Sequence, residues 1–517
     1  MKLQDLKSEL SNEKQFTENG AVGYRTTGKE LLDLNFAASS LRKMSEDEIY
    51  NRFIKAFYEN KLLAVKWLYF LRDCRGGMGE RRSFRAILQR LAKDQPKLVK
   101  ELIPITAEYG RFDDLLCLLD TDLKDDIISY YEVEIGADTI NKSLGKSISL
   151  LAKWLPSIGG KNDRYAKMIV EGLGITQKEY SKMLKALRNY SNVIECKMSR
   201  NEWDKINYPA VPSKANLLYK DAFMRHDQER RKAYLDSLVK GEVKINAGTL
   251  FVHDIVHKYT NRSGWRLSSN KLDVVLEELW KALPDLSEFE EETIVVRDDS
   301  GSMDCCVDQK SKVTAIEIAT ALAVYFSQYL KGEFKDKYIS FSQKPKFIDM
   351  SNCNSLKEKL DVSYAHSEVA NTNIEAVFDL ILSVAIKNGY TQDELPKNIL
   401  ILSDMEFDSC AVDNNSCSSG SWYHRSGIRS TLFDEIAKKY AAYGYVLPRL
   451  VFWNIAGRTN TIPVKENEHG VALVSGFSQS ILNMIIKGST NPYQNLVDTL
   501  NVPRYDAVEN AFNKSLD

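Results

Sequence analysis

Between about residues 35 and 240 the apolar positions of this chain recur every three to four residues, the period of amphipathic helices. From residue 291 onward, short β-branched runs alternate with such helical stretches. In the first half, Ser45-Glu46-Asp47-Glu48 has the form of a helix start, a capping serine followed by first-turn acids. Helices are predicted over residues 62–73 and 80–93. On the second, Phe84, Ile87, Leu88 and Leu91 lie on one side, with Arg82, Arg85, Gln89 and Lys93 on the other. In the second half the predicted strands are residues 293–296, 338–341, 346–348, 398–403, 450–454 and 471–474. Between them come helices carried by Val313, Ile316, Ala319, Ala323 and Phe326, and by Ile374, Val377, Phe378, Ile381, Leu382 and Ala385. Strand–helix alternation of this kind implies a doubly wound parallel sheet. The fold class is therefore α followed by α/β.

A chain of 517 residues exceeds the roughly 250–300 at which a single core stops growing, so more than one domain is expected. The boundaries read as an irregular, polar N-terminal arm over 1–30 with Gly20, Gly23 and Gly28, a helical domain over 31–285, an α/β domain over 286–490, and a helical extension over 491–517. No apolar run reaches 18 residues and the first residues lack a signal-peptide pattern, which predicts a cytoplasmic monomer without membrane contact. Eight cysteines do not make a disulfide framework and fit a reducing compartment.

Charge is unevenly distributed. Residues 51–100 carry 13 basic and 4 acidic side chains, and residues 101–150 carry 4 and 11. Positive charge focused in this way predicts a face for a polyanion. Lys178, Lys182 and Lys185 form a stripe opposite Tyr180, Met183, Leu184 and Leu187 on a helix over 175–190, an arrangement suited to phosphate contacts or to simple solvation. Arg225, Arg230 and Arg231 form a compact basic group near Phe223.

The candidate chemistry centres on Arg297-Asp298-Asp299-Ser300-Gly301-Ser302-Met303, at the end of the strand 293–296. Asp298, Ser300 and Ser302 can converge from a tight loop, and ligands of open α/β sheets gather at the carboxyl ends of strands. An ordinary strand-to-helix turn with a serine N-cap is the rival reading. Thr372, before one helix, and Asp404, at the end of the strand 398–403, are predicted on the same rim. These hard oxygen donors suit a divalent cation, Mg²⁺ first, with Ca²⁺ or Mn²⁺ as alternatives.

Other motifs carry less. Arg75-Gly76-Gly77-Met78-Gly79 lacks the Lys-Ser/Thr of a phosphate loop and reads as a sharp interhelical turn. Asp113 and Asp114 are adjacent, so they point apart on a helix and read as first-turn acids. His253 and His257 lack the glutamate and third ligand of a zincin, and Cys410, Cys417 and His424 sit on a loose polar stretch. With no second metal cluster and no nucleophile–base pair, an enzyme is not expected.

The ordered set Asp298-x-Ser300-x-Ser302, Thr372 and Asp404 resembles the metal-ion-dependent adhesion site of von Willebrand factor A domains. Together with residues 72–81 (Arg-Asp-Cys-Arg-Gly-Gly-Met-Gly-Glu-Arg), Tyr109-Gly110-Arg111-Phe112-Asp113-Asp114, Val211-Pro212-Ser213, Ser403-Asp404-Met405-Glu406-Phe407-Asp408 and Val451-Phe452-Trp453-Asn454, it resembles a family of bacterial, phage and plant proteins similar to the Ro ribonucleoprotein, in which a TROVE domain precedes a von Willebrand A domain. The resemblance spans about residues 30–500. It implies a ring of HEAT-like helical repeats closed by a Rossmann-like A domain, binding small or misfolded noncoding RNA, with those five residues as metal ligands. The RNA-contacting helix corresponds to the region of Lys178, Lys182, Lys185 and Arg188. Many A domains follow the last aspartate with glycine, where this chain has Met405. The alternative function is a metal-dependent interaction module that grips an acidic residue of a protein partner, without RNA.

Overall fold

A computed structural model describes residues 14–261, 264–269, 271–285, 292–307, 312–367, 371–408, 432–457, 461–463, 471–481 and 491–517, comprising a helical half and an α/β half in contact. Of the irregular arm expected over 1–30, residues 1–13 lie outside the described residues, and the part that follows is more regular than expected. Strands β1 (Lys14–Phe16) and β2 (Val22–Tyr24) pair antiparallel as a hairpin, and the chain then enters the helix Glu30–Phe36. Sequence patterning misses the hairpin because its strands are only three residues each, too short to show a period, and because the loops that hold it lie far along the chain.

The helices form where the period places them. Glu46–Glu59 begins at a capping box, Ser45 Oγ accepting from the Glu48 amide at 3.3 Å and Glu48 Oε2 from the Ser45 amide at 2.8 Å. Lys61–Arg72 and Arg82–Asp94 follow, joined by the glycine-rich turn. That turn folds back on the end of the first helix, with the Met78 amide on the Phe70 carbonyl at 3.0 Å and the Glu80 amide on that of Leu71 at 2.8 Å. A Cβ at Gly77 would sit 2.0 Å from the Phe70 oxygen, and so glycine is required.

The uneven charge resolves into internal pairing. Asp114, fully buried, accepts from Arg72 Nε and Arg85 Nε, both at 2.7 Å, and from the Arg111 amide at 2.9 Å. Arg85 also meets Asp113 at 3.0 Å, and Lys100 meets Asp126 at 2.6 Å. Part of the basic excess of residues 51–100 is thus matched by the acidic excess of 101–150, and Asp114 is a structural hub rather than a first-turn acid alone.

Six strands form the sheet of the second half: β3 (Thr293–Asp298), β4 (Lys337–Phe341), β5 (Lys346–Asp349), β6 (Asn398–Ser403), β7 (Arg449–Asn454) and β8 (Val471–Ser475). Their order is β5-β4-β3-β6-β7-β8, parallel except for the β4–β5 edge pair. The alternation predicted a parallel sheet, and the observed one is mostly parallel, with an antiparallel edge strand. The helix Ala315–Ser327 is buried at every position, because it packs on the sheet and on the helix Val252–Tyr259 of the helical half. At its start, Glu317 accepts from Thr260 and lies 2.9 Å from His257 Nδ1, tying the halves together.

The last helices, Pro492–Leu500 and Asp506–Lys514, return to the helical half. Lys66 donates to Asn501 at 2.9 Å and pairs with Glu509, Arg504 pairs with the fully buried Asp73, and Tyr505 stacks on Tyr109 at 5.8 Å. Among the described residues, no helix is long and apolar enough to cross a membrane.

Removing the Asp114 carboxylate leaves the buried Arg72 guanidinium without its counter-charge. Asp114→Ala should therefore cost about 3–5 kcal/mol in urea denaturation, whereas exposed-pair replacements such as Lys397→Ala should cost under about 1 kcal/mol. A small loss for Asp114→Ala would show that the arginines find other partners.

Candidate metal centre

Successive side chains of β3 point to opposite faces. Arg297, fully buried, turns toward the helix Ala315–Ser327. It donates to both Asp299 oxygens at 2.6 and 2.8 Å and to Thr320 at 3.0 Å, with the Tyr338 ring 5.2 Å away. Asp299 and the aromatic ring hold that guanidinium firmly protonated. Asp298, the next residue back on the other face, ends the strand. Sheet order reverses between β3 and β6, and the crevice at such a switch point is the usual ligand position. Asp298 closes β3 and Asp404 follows β6, so the two carboxylates flank that crevice.

The local hydrogen bonds fix both. Asp298 accepts from the Ser300 amide at 2.9 Å and from Ser403 Oγ at 2.6 Å, and the hydroxyls of Ser300 and Ser302 lie 2.9 Å apart. Asp404 accepts from the Glu406 amide at 3.2 Å. Both carboxylates are completely buried. Burial, and then the neighbouring Asp404, push the Asp298 carboxyl up to about 7. Thr372, also buried, sits between Asn371, whose carbonyl accepts from Ser342 just past β4, and Asn373, whose amide reaches the Ser342 carbonyl at 3.1 Å. The Thr372 carbonyl in turn accepts from the Asp408 amide at 3.1 Å. The five rim residues expected from the sequence are thus gathered at the carboxyl edge of the sheet. The rival helix-cap reading of the serines fails, since Ser300 precedes the short turn Gly301–Asp304 without a side-chain cap.

Two further residues belong to this rim and escape sequence reasoning. Asn19 of the hairpin donates to Thr372 Oγ1 at 3.1 Å and to the Glu406 carbonyl at 2.6 Å, and the buried Glu406 carboxylate accepts from the Glu18 amide at 2.9 Å. Contacts spanning more than 350 residues leave no local signal, although the spacing of Asp404, Glu406 and Asp408 on alternate positions hints at Glu406.

The departure at Met405 also resolves. Its φ is +66°, the left-handed conformation that glycine adopts freely. The loop keeps a glycine-like backbone with a methionine whose side chain is buried beside Ala21, Val22, Phe407 and Phe433.

The donor set fits a hard divalent cation: two carboxylates and three hydroxyls, all oxygen, with the buried Asp298 and Asp404 carboxylates repelling one another. Among the described residues, no group of three or more His, Cys, Asp or Glu side chains is arranged to hold a metal, so the rim depends on its hydroxyls. The weaker zinc motifs separate. His253 stacks on Phe251, and its burial lowers its pKa to about 4, while His257 faces Glu317. Cys410, Cys417 and His424 lie outside the described residues. A larger cleft of about 770 Å³ opens where the helices Glu30–Phe36 and Glu46–Glu59 meet the hairpin. It mixes Arg25, Arg52 and Lys55 with Glu30, Asp33 and Glu48, and Asp33 and Glu48 already serve Thr27 and Ser45.

The basic candidates divide. Lys178, Lys182 and Lys185 are exposed on the helix Gln177–Tyr190, opposite the buried Tyr180, Leu184 and Leu187, and Arg225 is exposed. Arg188 donates to the Ala152 and Leu155 carbonyls at 2.8 and 2.7 Å, closing a neighbouring helix end. Arg82 caps the Met44 carbonyl at 2.9 Å, and Arg85 serves Asp114. Arg230 holds Asp227 and the Ile206 carbonyl. Arg231 is fully buried among Tyr208, Phe223 and Tyr234. Their guanidinium forks are committed to the fold, which a helical wheel cannot reveal.

The geometry defines a two-part protein: a helical layer fused to a doubly wound α/β sheet with an oxygen-rich rim at its switch point. In comparisons with known proteins, residues 292–511 match a family described as a domain of unknown function, DUF7788, and residues 171–288 match another, DUF2828. The chain is also similar to uncharacterized protein L728 of Acanthamoeba polyphaga mimivirus, 29% identical over 532 residues that cover 94% of this chain and 87% of that one.

The buried side chain and the left-handed backbone at Met405 can be separated by mutation. Met405→Ala should cost about 2–5 kcal/mol, as buried methionines do, and Met405→Gly about 1 kcal/mol less, because glycine relieves the positive φ. Denaturant midpoints showing the glycine variant as the weaker of the two would contradict the backbone assignment.

Proposed function

We propose that the protein is a non-enzymatic, divalent-cation-dependent binding protein. In this reading the α/β half is a von Willebrand A domain with a metal-ion-dependent adhesion site, and the helical half is a TROVE-type ring of HEAT-like repeats. The supporting observation is that Asp298, Asp404, Ser300, Ser302 and Thr372 all lie along the carboxyl edge of the sheet, with the Ser300 and Ser302 hydroxyls 2.9 Å apart and Thr372 held beside the end of β4. Asp298 and Asp404 would hold the ion, with Mg²⁺ the first choice and Ca²⁺ or Mn²⁺ as alternatives. Ser300, Ser302 and Thr372 complete the donor set, and Ser403 and the Ser300 amide keep Asp298 oriented. The ion supplies an attachment point for an acidic residue of a protein partner in the cytoplasm.

A second reading, binding of noncoding RNA, is favoured by one observation, the exposed lysine face of Lys178, Lys182 and Lys185 with Arg225 as a further exposed cation. It leaves those four side chains as the exposed candidates whose heads are not committed to the fold by a bond among the described residues. Contacts of this kind neutralise phosphates and weaken steeply with salt.

Two experiments address the readings separately. Mg²⁺ at about 100 times its dissociation constant should stabilise the wild-type chain by about 2.7 kcal/mol over an EDTA control, seen as a raised Tm, and should leave Asp298→Asn unmoved. A flat wild-type response would remove the cation from the proposal. For RNA, the triple variant Lys178→Glu/Lys182→Glu/Lys185→Glu should lose the gel shift of a structured RNA at low salt while keeping the wild-type circular dichroism. Binding that survives the triple substitution excludes this face.

A further inference from the structure

The hairpin is docked on the rim itself. Thr17 Oγ1 donates to the Phe407 carbonyl at 2.6 Å, the Glu18 amide to Glu406 Oε2 at 2.9 Å, and Asn19 Nδ2 to the Glu406 carbonyl at 2.6 Å and to Thr372 Oγ1 at 3.1 Å. Gly20 bridges to Asp408 through the backbone. Behind the turn, Tyr24 and Ile462 exchange backbone hydrogen bonds at 2.7 and 2.8 Å, and at Gly23 any Cβ would lie 2.8 Å from the Ile462 carbonyl.

The hairpin therefore has two distinct parts. Its base is fixed by close backbone pairing and a glycine that permits it. Its turn is polar, with Glu18 and Asn19 exposed, and is attached by a few hydrogen bonds. Those bonds end on Thr372, a candidate cation ligand, and on the loop that carries Asp404. A side chain reaching the Thr372 hydroxyl from outside occupies the approach that a partner's acidic residue would take to the ion.

We infer that the turn at residues 17–21 is an intramolecular occupant of the rim, with Asn19 seated where a partner's carboxylate docks, so that partner and hairpin exclude one another. The inference rests on the cation reading above. The base of the hairpin acts as the tether, and the turn as the part that lifts. The partner it fits is a protein loop presenting one carboxylate, small enough to replace a carboxamide and extended enough to meet Glu406 with a backbone amide.

Mn²⁺ serves as the probe, bound to the full-length chain and read by water-proton relaxation, which reports exchangeable water on the bound ion. Asn19→Ala removes the contact with Thr372, and Thr17→Val weakens the turn without touching a rim ligand. Both variants should bind Mn²⁺ with wild-type stoichiometry and give a larger relaxation enhancement. Acetate, standing in for the partner's carboxylate, should lower that enhancement in the variants at concentrations that leave the wild type unchanged. If all three proteins bind Mn²⁺ and show the same enhancement and the same acetate response, the hairpin does not shield the ion and the inference is overturned while the cation reading survives. If the wild type and both variants bind no Mn²⁺, the cation reading fails, and the inference falls with it.

Discussion

Two carboxylates buried side by side at the ends of adjacent parallel strands set the terms for the α/β half. Asp298 and Asp404 are both withdrawn from water, and like charges in that position raise each other's affinity for protons or for a cation. The sheet supplies partial compensation through the Ser403 hydroxyl and the Ser300 and Glu406 amides. Every segment that reaches the rim, including residues 371–374, 404–408 and the hairpin turn, brings hydrogen-bonding groups to it. Uncompensated buried charge is costly enough to dictate the loops around it.

The helical half handles charge in the opposite way. Asp114 gathers Arg72 and Arg85, and Asp73 gathers Arg504, so these buried acids meet opposite partners, whereas the buried Arg231 is held by Asn216 and by aromatic rings. Pairing of that kind closes a surface to ligands. At the rim the buried acidic groups lie close together, and on the Gln177–Tyr190 helix the charge is positive and solvated. The contrast separates structural charge from charge left to face something else.

The strands of the sheet were legible because buried parallel strands are short apolar runs, and each of the six falls within two residues of its predicted span. Asp298, Ser300 and Ser302 were legible by local spacing, and Thr372 and Asp404 by their places beside a helix start and a strand end. What stayed hidden involves partners far along the chain. Nothing near Arg188 announces the carbonyls of Ala152 and Leu155, and nothing near Asn19 announces Thr372. Helical periodicity assigned Arg82 and Arg231 to the helical half but could not say what they bond to: Arg82, though exposed, caps the Met44 carbonyl, and Arg231 is buried. At Met405, residue type argued against the left-handed turn, and burial of the side chain outweighed the backbone preference.

The return of the last helices to the helical half has a consequence for biosynthesis. Asp73 and Arg504 are 431 residues apart, and at translation rates of about 5–20 residues per second roughly 20–90 s separate their emergence. During that interval Asp73, Lys66 and the ring face of Tyr109 await partners not yet made. The helical half cannot close completely as an early folding unit, and its seam waits until residues 492–514 have been made. The helices Pro492–Leu500 and Asp506–Lys514 thus act as a latch on a half of the molecule whose other parts are made hundreds of residues earlier.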